Sequence, residues 1–214
     1  GLTFEHFAVD LTNFFVSCIA KSVAADAAHS DWSPFIIHGG PGVGKSHLLN
    51  AIYHERLKCD PRANIFYVPA EALYSNEHRE QLLRYSSNSN ITLLIDDVDI
   101  FFMQSEFYAE QFSRITDAIR MHQGVLVATC SNNPSMHQFR KMFGHRVSHG
   151  LSGLRKVVHK LGDHSNCGLL GELLPPSMNT RMEILRIRAA LYGIRIQDAA
   201  AKYICSEIYN VHAL

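Results

Sequence analysis

The chain has 214 residues, enough for one large domain or a medium domain with a small appendage. Apolar residues make up 47% of it and charged residues 19%, which supplies a sizeable core and excludes long disorder. Lys plus Arg and Asp plus Glu balance at 20 each, which argues against a dedicated nucleic-acid coat, and no apolar run reaches the roughly 18 residues that a membrane span needs.

The first residues, Gly1 to His6, lack the basic and apolar blocks of a signal peptide. Thr12 is placed to cap a first helix in which Phe14, Phe15, Cys18 and Ile19 share a face. Phe35–His38 reads as a buried strand, followed by a glycine loop at Gly39–Ser46 and a helix to about Leu57. Ile65–Val68, Thr92–Asp96 and Val125–Thr129 are further buried strands, each short, rich in branched or aromatic residues and closed by polar ones. Between the last two, Tyr108, Phe112, Ile115 and Ile119 form the core-facing stripe of a helix. This alternation predicts an α/β fold with a parallel sheet. Leu151–Glu172 is rich in glycine and is compatible with a fifth strand, a hairpin or a surface loop. Past Pro175-Pro176, Ser177 or Asn179 caps a helix carrying Ile184, Ile187 and Leu191 that stops at Gly193. A last helix places Ala201, Ile204, Cys205 and Ile208 on one side. The predicted organisation is a nucleotide-binding α/β domain over 1–174 and a small helical unit over 175–214.

The five cysteines, Cys18, Cys59, Cys130, Cys167 and Cys205, are scattered and show no CxxC. They fit thiols used as small core residues in a reducing, cytoplasmic compartment. The histidines at 145, 149, 159 and 164 lack paired ligand spacing and read as histidine-rich surface rather than a metal site.

The strongest chemical signal is Gly39-Gly40-Pro41-Gly42-Val43-Gly44-Lys45-Ser46, a G-x-x-x-x-G-K-[ST] phosphate loop between a strand and a helix. Its glycines let the backbone curl so that N–H groups at Gly40, Gly42, Val43, Gly44 and Lys45 point at phosphates, and the helix N-terminus adds partial positive charge. Lys45 reaches the β- and γ-phosphates, and the Ser46 hydroxyl is a ligand for Mg²⁺. About 50 residues on, Thr92-Leu93-Leu94-Ile95-Asp96-Asp97 ends an apolar strand in two carboxylates. Asp96 is expected to hold Mg²⁺ and Asp97 to orient or deprotonate the attacking water. Asp99 is assigned to solvent. Val125 to Asn133 is a strand ending in a polar cluster, from which Asn132 can reach the γ-phosphate or the water.

The order of phosphate loop, acidic strand and polar-tipped strand resembles AAA+ ATPases, and more narrowly the DnaA/Hda family of bacterial replication initiators and regulators. Four stretches carry the match: Leu2-Thr3-Phe4-Glu5-His6-Phe7 with Asn13, the loop with His47-Leu48-Leu49, Leu93-Leu94-Ile95-Asp96-Asp97-Val98, and Pro175-Pro176 with Thr180-Arg181-Met182-Glu183-Ile184-Leu185. The resemblance implies a parallel AAA+ sheet domain with helices on both faces and a small helical lid. It implies ATP/ADP and Mg²⁺ as ligands, with Phe7 and Asn13 near the adenine and His47 beside the loop. It puts the first sensor at Asn132, or at Ser131 with a shift of one residue, and an arginine finger at Arg146 acting on a neighbour's ATP. The implied activity is slow, switch-type ATP hydrolysis that controls assembly in replication initiation or its regulation. The implied partners are further copies of the chain through the arginine-finger face, and replication proteins such as an initiator, sliding clamp or helicase. Direct DNA contact is left open. Three departures stand out: His212 where the family has a lid arginine, a shorter stretch between Ala70 and Thr92, and a longer one over 151–172. Two other readings remain: a helicase loader or transposition helper of the DnaC/IstB type, and a nucleotide-binding interaction module that does not hydrolyse.

Overall fold

In a computed structural model of the chain, residues 1–25, 33–86, 90–99, 106–131, 147–149 and 168–209 are described. Six strands form one parallel sheet: β1 Phe35–His38, β2 Ile65–Pro69, β3 Thr92–Asp96, β4 Val125–Cys130, β5 Val147–His149 and β6 Gly168–Glu172, in the order β2-β3-β4-β1-β6-β5. The six described helices are α1 Phe14–Ala25, α2 Lys45–Cys59, α3 Asn76–Ser86, α4 Glu106–Met121, α5 Met178–Leu191 and α6 Asp198–Glu207. The four strands expected from sequence are all present, and β6 resolves the open 151–172 stretch in favour of a strand at its end. That strand pairs directly with β1, Phe35 opposite Leu169 and His38 opposite Glu172.

The strands read as continuous apolar runs because both faces of the sheet are covered. Ile36, Leu93, Ile95, Leu126, Ala128 and Leu170 point to one face, against Leu73, Leu82, Phe112, Ile115 and Ile119 from α3, α4 and the 3-10 turn Ala70–Tyr74. Phe35, Ile37, Leu94, Val125, Val127 and Leu169 point to the other, against Val16, Ile19, Val23, Leu48, Leu49 and Ile52 of α1 and α2. Side chains alternate along each strand with a period of two, so each strand feeds both cores.

Two expectations about the first helix are corrected. Its buried face is Val16, Ile19, Ala20 and Val23, whereas Phe14 is 58% exposed and Cys18 is exposed. Thr12 does not cap it: both the Thr12 N–H and its hydroxyl donate to Asp10, and the Asn13 carbonyl accepts from Ser17 N–H. The cysteines also divide. Cys130 and Cys205 are buried, but Cys18 and Cys59 are exposed, so only part of the thiol set serves as core.

Helices α5 and α6 form a small pair with its own core of Leu185, Ala201 and Cys205, packed by Met178, Met182 and Ile196. Ser177 is the N-cap of α5, its hydroxyl accepting from Thr180 N–H at 3.3 Å. The helix ends at Leu191, and Gly193 follows at φ +68°. Arg181 pins the pair together. Its guanidinium donates to Cys205 O and Pro176 O, both at 3.1 Å, and lies 4.8 Å from the Tyr209 ring centroid.

Candidate nucleotide-binding site

The carboxyl ends of β1, β3 and β4 meet where the chain order of the sheet reverses around β1, the place where open α/β sheets bind ligands. The glycine loop leaves β1 there and opens α2. Gly44 stands at the N-cap with φ +107°, a conformation that side chains resist, and a Cβ on it would sit 3.1 Å from the Phe7 ring. Gly39 is required for another reason: a Cβ there would lie 2.3 Å from the Leu173 carbonyl oxygen. The loop's root is clamped on both sides, Gly39 N–H donating to Cys130 O and Leu173 N–H to His38 O.

Lys45 is buried and points back over the loop, its ammonium donating to Gly39 O at 2.9 Å and Gly40 O at 3.0 Å. Two of its three donors thus hold the loop closed on itself. Ser46 sits one residue further into the helix, and its carbonyl accepts from the Asn50 amide.

The acidic tip of β3 lies one strand away from the loop, with β4 between them, a lateral gap of roughly 9.5 Å for two strand spacings. Thr129 of β4 spans the gap's floor. Its hydroxyl donates to Asp96 Oδ1 and accepts from Asp97 N–H at 2.9 Å, while its carbonyl accepts from Val98 N–H at 2.8 Å. Tyr67 of β2 donates to Asp96 Oδ2 at 2.6 Å, and burial together with that carboxylate pushes the Tyr67 phenol well above its ordinary value. Asp96 is therefore held from both sides. Asp97 adopts φ +58°, uncommon for a residue with a side chain, and the bonds from the Asp97 and Val98 N–H groups to Thr129 hold that conformation. Desolvation and the neighbouring Asp96 charge raise the Asp97 carboxyl, opposed by Lys45. Asp99 is not left to solvent as expected: its carboxylate accepts from Ser131 N–H and ties the β3 and β4 tips together.

Two contiguous lobes open at this edge. The polar one is lined by Gly42, Gly44, Lys45, Ser46, Asp97 and Ser131 among others. The apolar one is lined by Phe7, Ala8, Asn13, Val43, Ile184 and Leu191 among others. Leu2, Gly44, His47 and Arg188 border both. Of the residues singled out in sequence, these lobes gather Phe7, Asn13, Gly42, Val43, Gly44, Lys45, Ser46, His47 and Asp97, with the Gly40 carbonyl on Lys45 and Asp96 bonded behind Asp97. Asn132, Arg146 and His212 lie outside the described residues.

Two of these lining side chains also bond within the protein. Asn13 is buried and has both ends of its amide engaged, Oδ1 accepting from Asp10 N–H and Nδ2 donating to Ala8 O. It shapes the 8–10 turn that borders the apolar lobe. His47 donates Nε2–H to Thr3 O at 2.9 Å and meets Phe7 edge-on at 5.2 Å between centroids, so it ties α2 to the N-terminal segment. Desolvation lowers its pKa, against the pull of the Thr3 carbonyl, which favours the charged ring.

Sequence reading missed Tyr67, Asp10 and Arg188. Tyr67 and Asp10 carry no motif and earn their places through partners 29 and 170 positions away. Asp10 receives bonds from Thr12, Ser177 N–H and the Thr180 hydroxyl, joining the N-terminal segment to the start of α5. Burial works to raise its carboxyl, but these bonds outweigh it and hold the group well below the usual carboxylate range.

A Mg²⁺ ion fits the chemistry of the donors present. The Ser46 hydroxyl and the Asp96 carboxylate are hard oxygen ligands, few in number, which suits an ion that keeps water and binds a polyphosphate alongside protein. Among the described residues no cluster of three His, Cys, Asp or Glu side chains forms a metal cage of its own.

The fold and the glycine loop define a P-loop nucleotide-binding domain of the AAA+ class. Within that class, the model of the bacterial DnaA ATPase domain matches residues 1–153, and the chain belongs to that family. The chromosomal replication initiator DnaA of Symbiobacterium thermophilum is 30% identical over 213 residues, covering 96% of this chain and 42% of the relative. Domain III of the Thermotoga maritima replication initiation protein DnaA superposes with a TM-score of 0.74 at 22% identity, over 99% of this chain and 83% of that one. A replication initiator DnaA bound to AMPPCP and single-stranded DNA superposes with a TM-score of 0.68 at 23% identity, over 99% and 61%. The chain spans about two fifths of the length of the curated relatives it matches.

Proposed function

We propose that this chain is an ATP-binding and ATP-hydrolysing switch domain that acts in bacterial replication initiation, or in its regulation, through nucleotide-controlled assembly. The observation that carries this reading is the convergence of Lys45, Ser46 and Asp97 on one polar lobe that continues into an apolar lobe of base-binding character. ATP and ADP lie with the base among Phe7, Ala8 and Val43 and the phosphates on the loop. Lys45 leaves the Gly39 and Gly40 carbonyls for the β- and γ-phosphates, a trade of two neutral acceptors for charged ones. Ser46 and Asp96 would hold Mg²⁺, which when bound would neutralise charge on the phosphate oxygens. Asp97 accepts a proton from the attacking water. The water oxygen bonds to the γ-phosphorus, the bond from that phosphorus to the β–γ bridging oxygen breaks, and ADP and phosphate leave. The raised Asp97 pKa makes it a stronger base than an ordinary aspartate.

Asn132 takes the place of a γ-phosphate sensor and Arg146 that of a finger directed at the ATP of a neighbouring copy. We further propose the 1–174 and 175–214 division as sheet domain and lid, and a cytoplasmic site of action. Self-association through the Arg146 face, engagement of an initiator, sliding clamp or helicase, and contact with DNA belong to the same proposal. Membership of the DnaA ATPase family supports it, as does the fold shared with a DnaA that carries AMPPCP and single-stranded DNA. No helix among the described residues is long and apolar enough to cross a membrane.

The deciding experiment is ATP turnover by the chain and by Asp97→Asn. Slow hydrolysis is expected, reduced at least about tenfold in the variant with ATP affinity retained. No turnover in the parent, with or without DNA and the candidate partners, would leave only a binding module.

A further inference from the structure

The two residues assigned to Mg²⁺ stand on separate elements, Ser46 in the first turn of α2 and Asp96 at the end of β3. A chain of side-chain bonds joins them through Asn50 and Tyr67. Ser46 and Asn50 are four residues apart, so they share one face of α2. Tyr67 lies opposite Leu94 in the β2–β3 register, and Asp96 follows two residues after Leu94. Side chains on a strand alternate with a period of two, so Tyr67, Leu94 and Asp96 point to the same face of the sheet, the one that α2 covers.

The direction of each bond follows from its donors. The Tyr67 hydroxyl commits its proton to Asp96 Oδ2 at 2.6 Å, so the phenol oxygen accepts from the Asn50 amide. That amide nitrogen carries two N–H groups, and the second donates to Ser46 O at 2.8 Å. Thr129 donates to the other Asp96 oxygen. Each carboxylate oxygen thus accepts one hydroxyl proton and keeps a lone pair. Both donors are neutral, so they check rotation of the carboxylate without cancelling its charge. A lysine or arginine there would hold Asp96 too but would oppose a divalent cation. Among the described residues no ion pair involves Asp96. Ser46, Asn50, Tyr67 and Asp96 are all half-buried, where such bonds are stronger than in open water.

We propose that Asn50 and Tyr67 are positioning residues that fix the Asp96 carboxylate relative to Ser46, and so set the site's preference for Mg²⁺-bound over metal-free nucleotide. This rests on the nucleotide and Mg²⁺ reading of the site. Neither residue lines the polar lobe, so each acts through the ligand it bonds. Mg²⁺ accepts little departure from ideal ligand geometry, and the partners that orient its ligands govern affinity by about 10- to 100-fold. Without the Tyr67 hydroxyl, Asp96 is free to turn about its single bond to Thr129. Without the Asn50 amide, Tyr67 still holds Asp96 but is no longer tied to the helix that carries Ser46.

The test compares the parent chain with Tyr67→Phe, Asn50→Ala and the double variant. Tyr67→Phe keeps the ring and its packing. Affinity for AMPPCP, an ATP analogue that resists hydrolysis, is titrated in saturating Mg²⁺ and again in EDTA. Each single variant should weaken binding about tenfold in Mg²⁺ and stay within about twofold of the parent in EDTA. The double variant should lose no more than the worse single one, because both break the same chain of bonds. Equal weakening in Mg²⁺ and in EDTA would mean a packing role and overturn the proposal. So would parental affinity in Mg²⁺, or losses that multiply in the double variant. A parent chain that binds AMPPCP equally in both conditions would overturn the Mg²⁺ assignment, and one that binds it in neither would overturn the nucleotide reading. Both results are separable from the others because they need no variant.

Discussion

The two lobes of the cleft are built in opposite ways. The phosphate lobe is made mostly of contiguous sequence, residues between Pro41 and His47 with Asp97 at one strand tip, held by backbone geometry and short bonds. The apolar lobe is assembled from Gly1 to Asn13, the loop's Val43 and Gly44, and α5, segments more than 130 positions apart joined by Asp10, His47 and Thr180. The first lobe is rigid by local chemistry. The second depends on docking, and so it is the part that can respond to what is bound.

That contrast can be broken experimentally at graded cost. The largest effect is expected in the phosphate lobe, at Lys45→Ala. Nucleotide at roughly 100 times its Kd should stabilise the parent by about 2.7 kcal/mol in thermal melts and leave the variant unshifted. An equal shift in both would show that nucleotide binds elsewhere.

Thr129→Val probes the bridge between the strand tips. The change is nearly isosteric but removes the hydroxyl that serves Asp96 and the Asp97 N–H. Chemical denaturation should register a loss of about 1–2 kcal/mol, because a half-buried carboxylate loses a donor and an N–H loses its acceptor. Turnover should fall as well, since Asp97 is freed from its φ +58° conformation. A variant with parental stability and rate would make the bridge incidental.

Asp10→Asn tests the docking of the second lobe and should have the smallest effect. The folded-state pKa of Asp10 is depressed, so its contribution is present above the unfolded value of about 3.9 and disappears as pH falls below it. The parent should therefore lose more stability than Asp10→Asn between about pH 5 and pH 2, with the two curves nearly parallel near neutrality. Parallel curves throughout would remove Asp10 as the link between the N-terminal segment and α5.

Legibility in the sequence followed the same division. The loop and the Asp96-Asp97 tip were legible because their chemistry needs fixed residue types at fixed spacing. Strands β1, β3 and β4 were legible because burial on both faces writes an uninterrupted apolar run, and β2 because it is rich in branched and aromatic residues, although as the edge strand it is buried only at Ile65. Strand β6 was left open because glycines stand at its start and near its end, where strand propensity is weakest. The fold supplies the reason for both: a Cβ on Gly168 would press on Pro34 at 2.7 Å, and one on Gly171 on Val16 at 3.0 Å. The first helix was found, but its buried face was misassigned, because apolar side chains lie all round it and periodicity could not choose among them.

The sequence by itself determined that a phosphate loop follows a buried strand, that a double-carboxylate strand accompanies it, and that a helical unit trails the sheet. Each is a local pattern whose physical cause lies within a few residues. Only the tertiary structure decided that Thr129 and Tyr67 hold Asp96, that the Asn13 amide and His47 Nε2 bond to backbone, and that Arg188 borders the phosphate lobe. These are pairings across strands and between distant segments. Which residues meet there follows from strand order and helix docking, and a linear pattern carries no record of either.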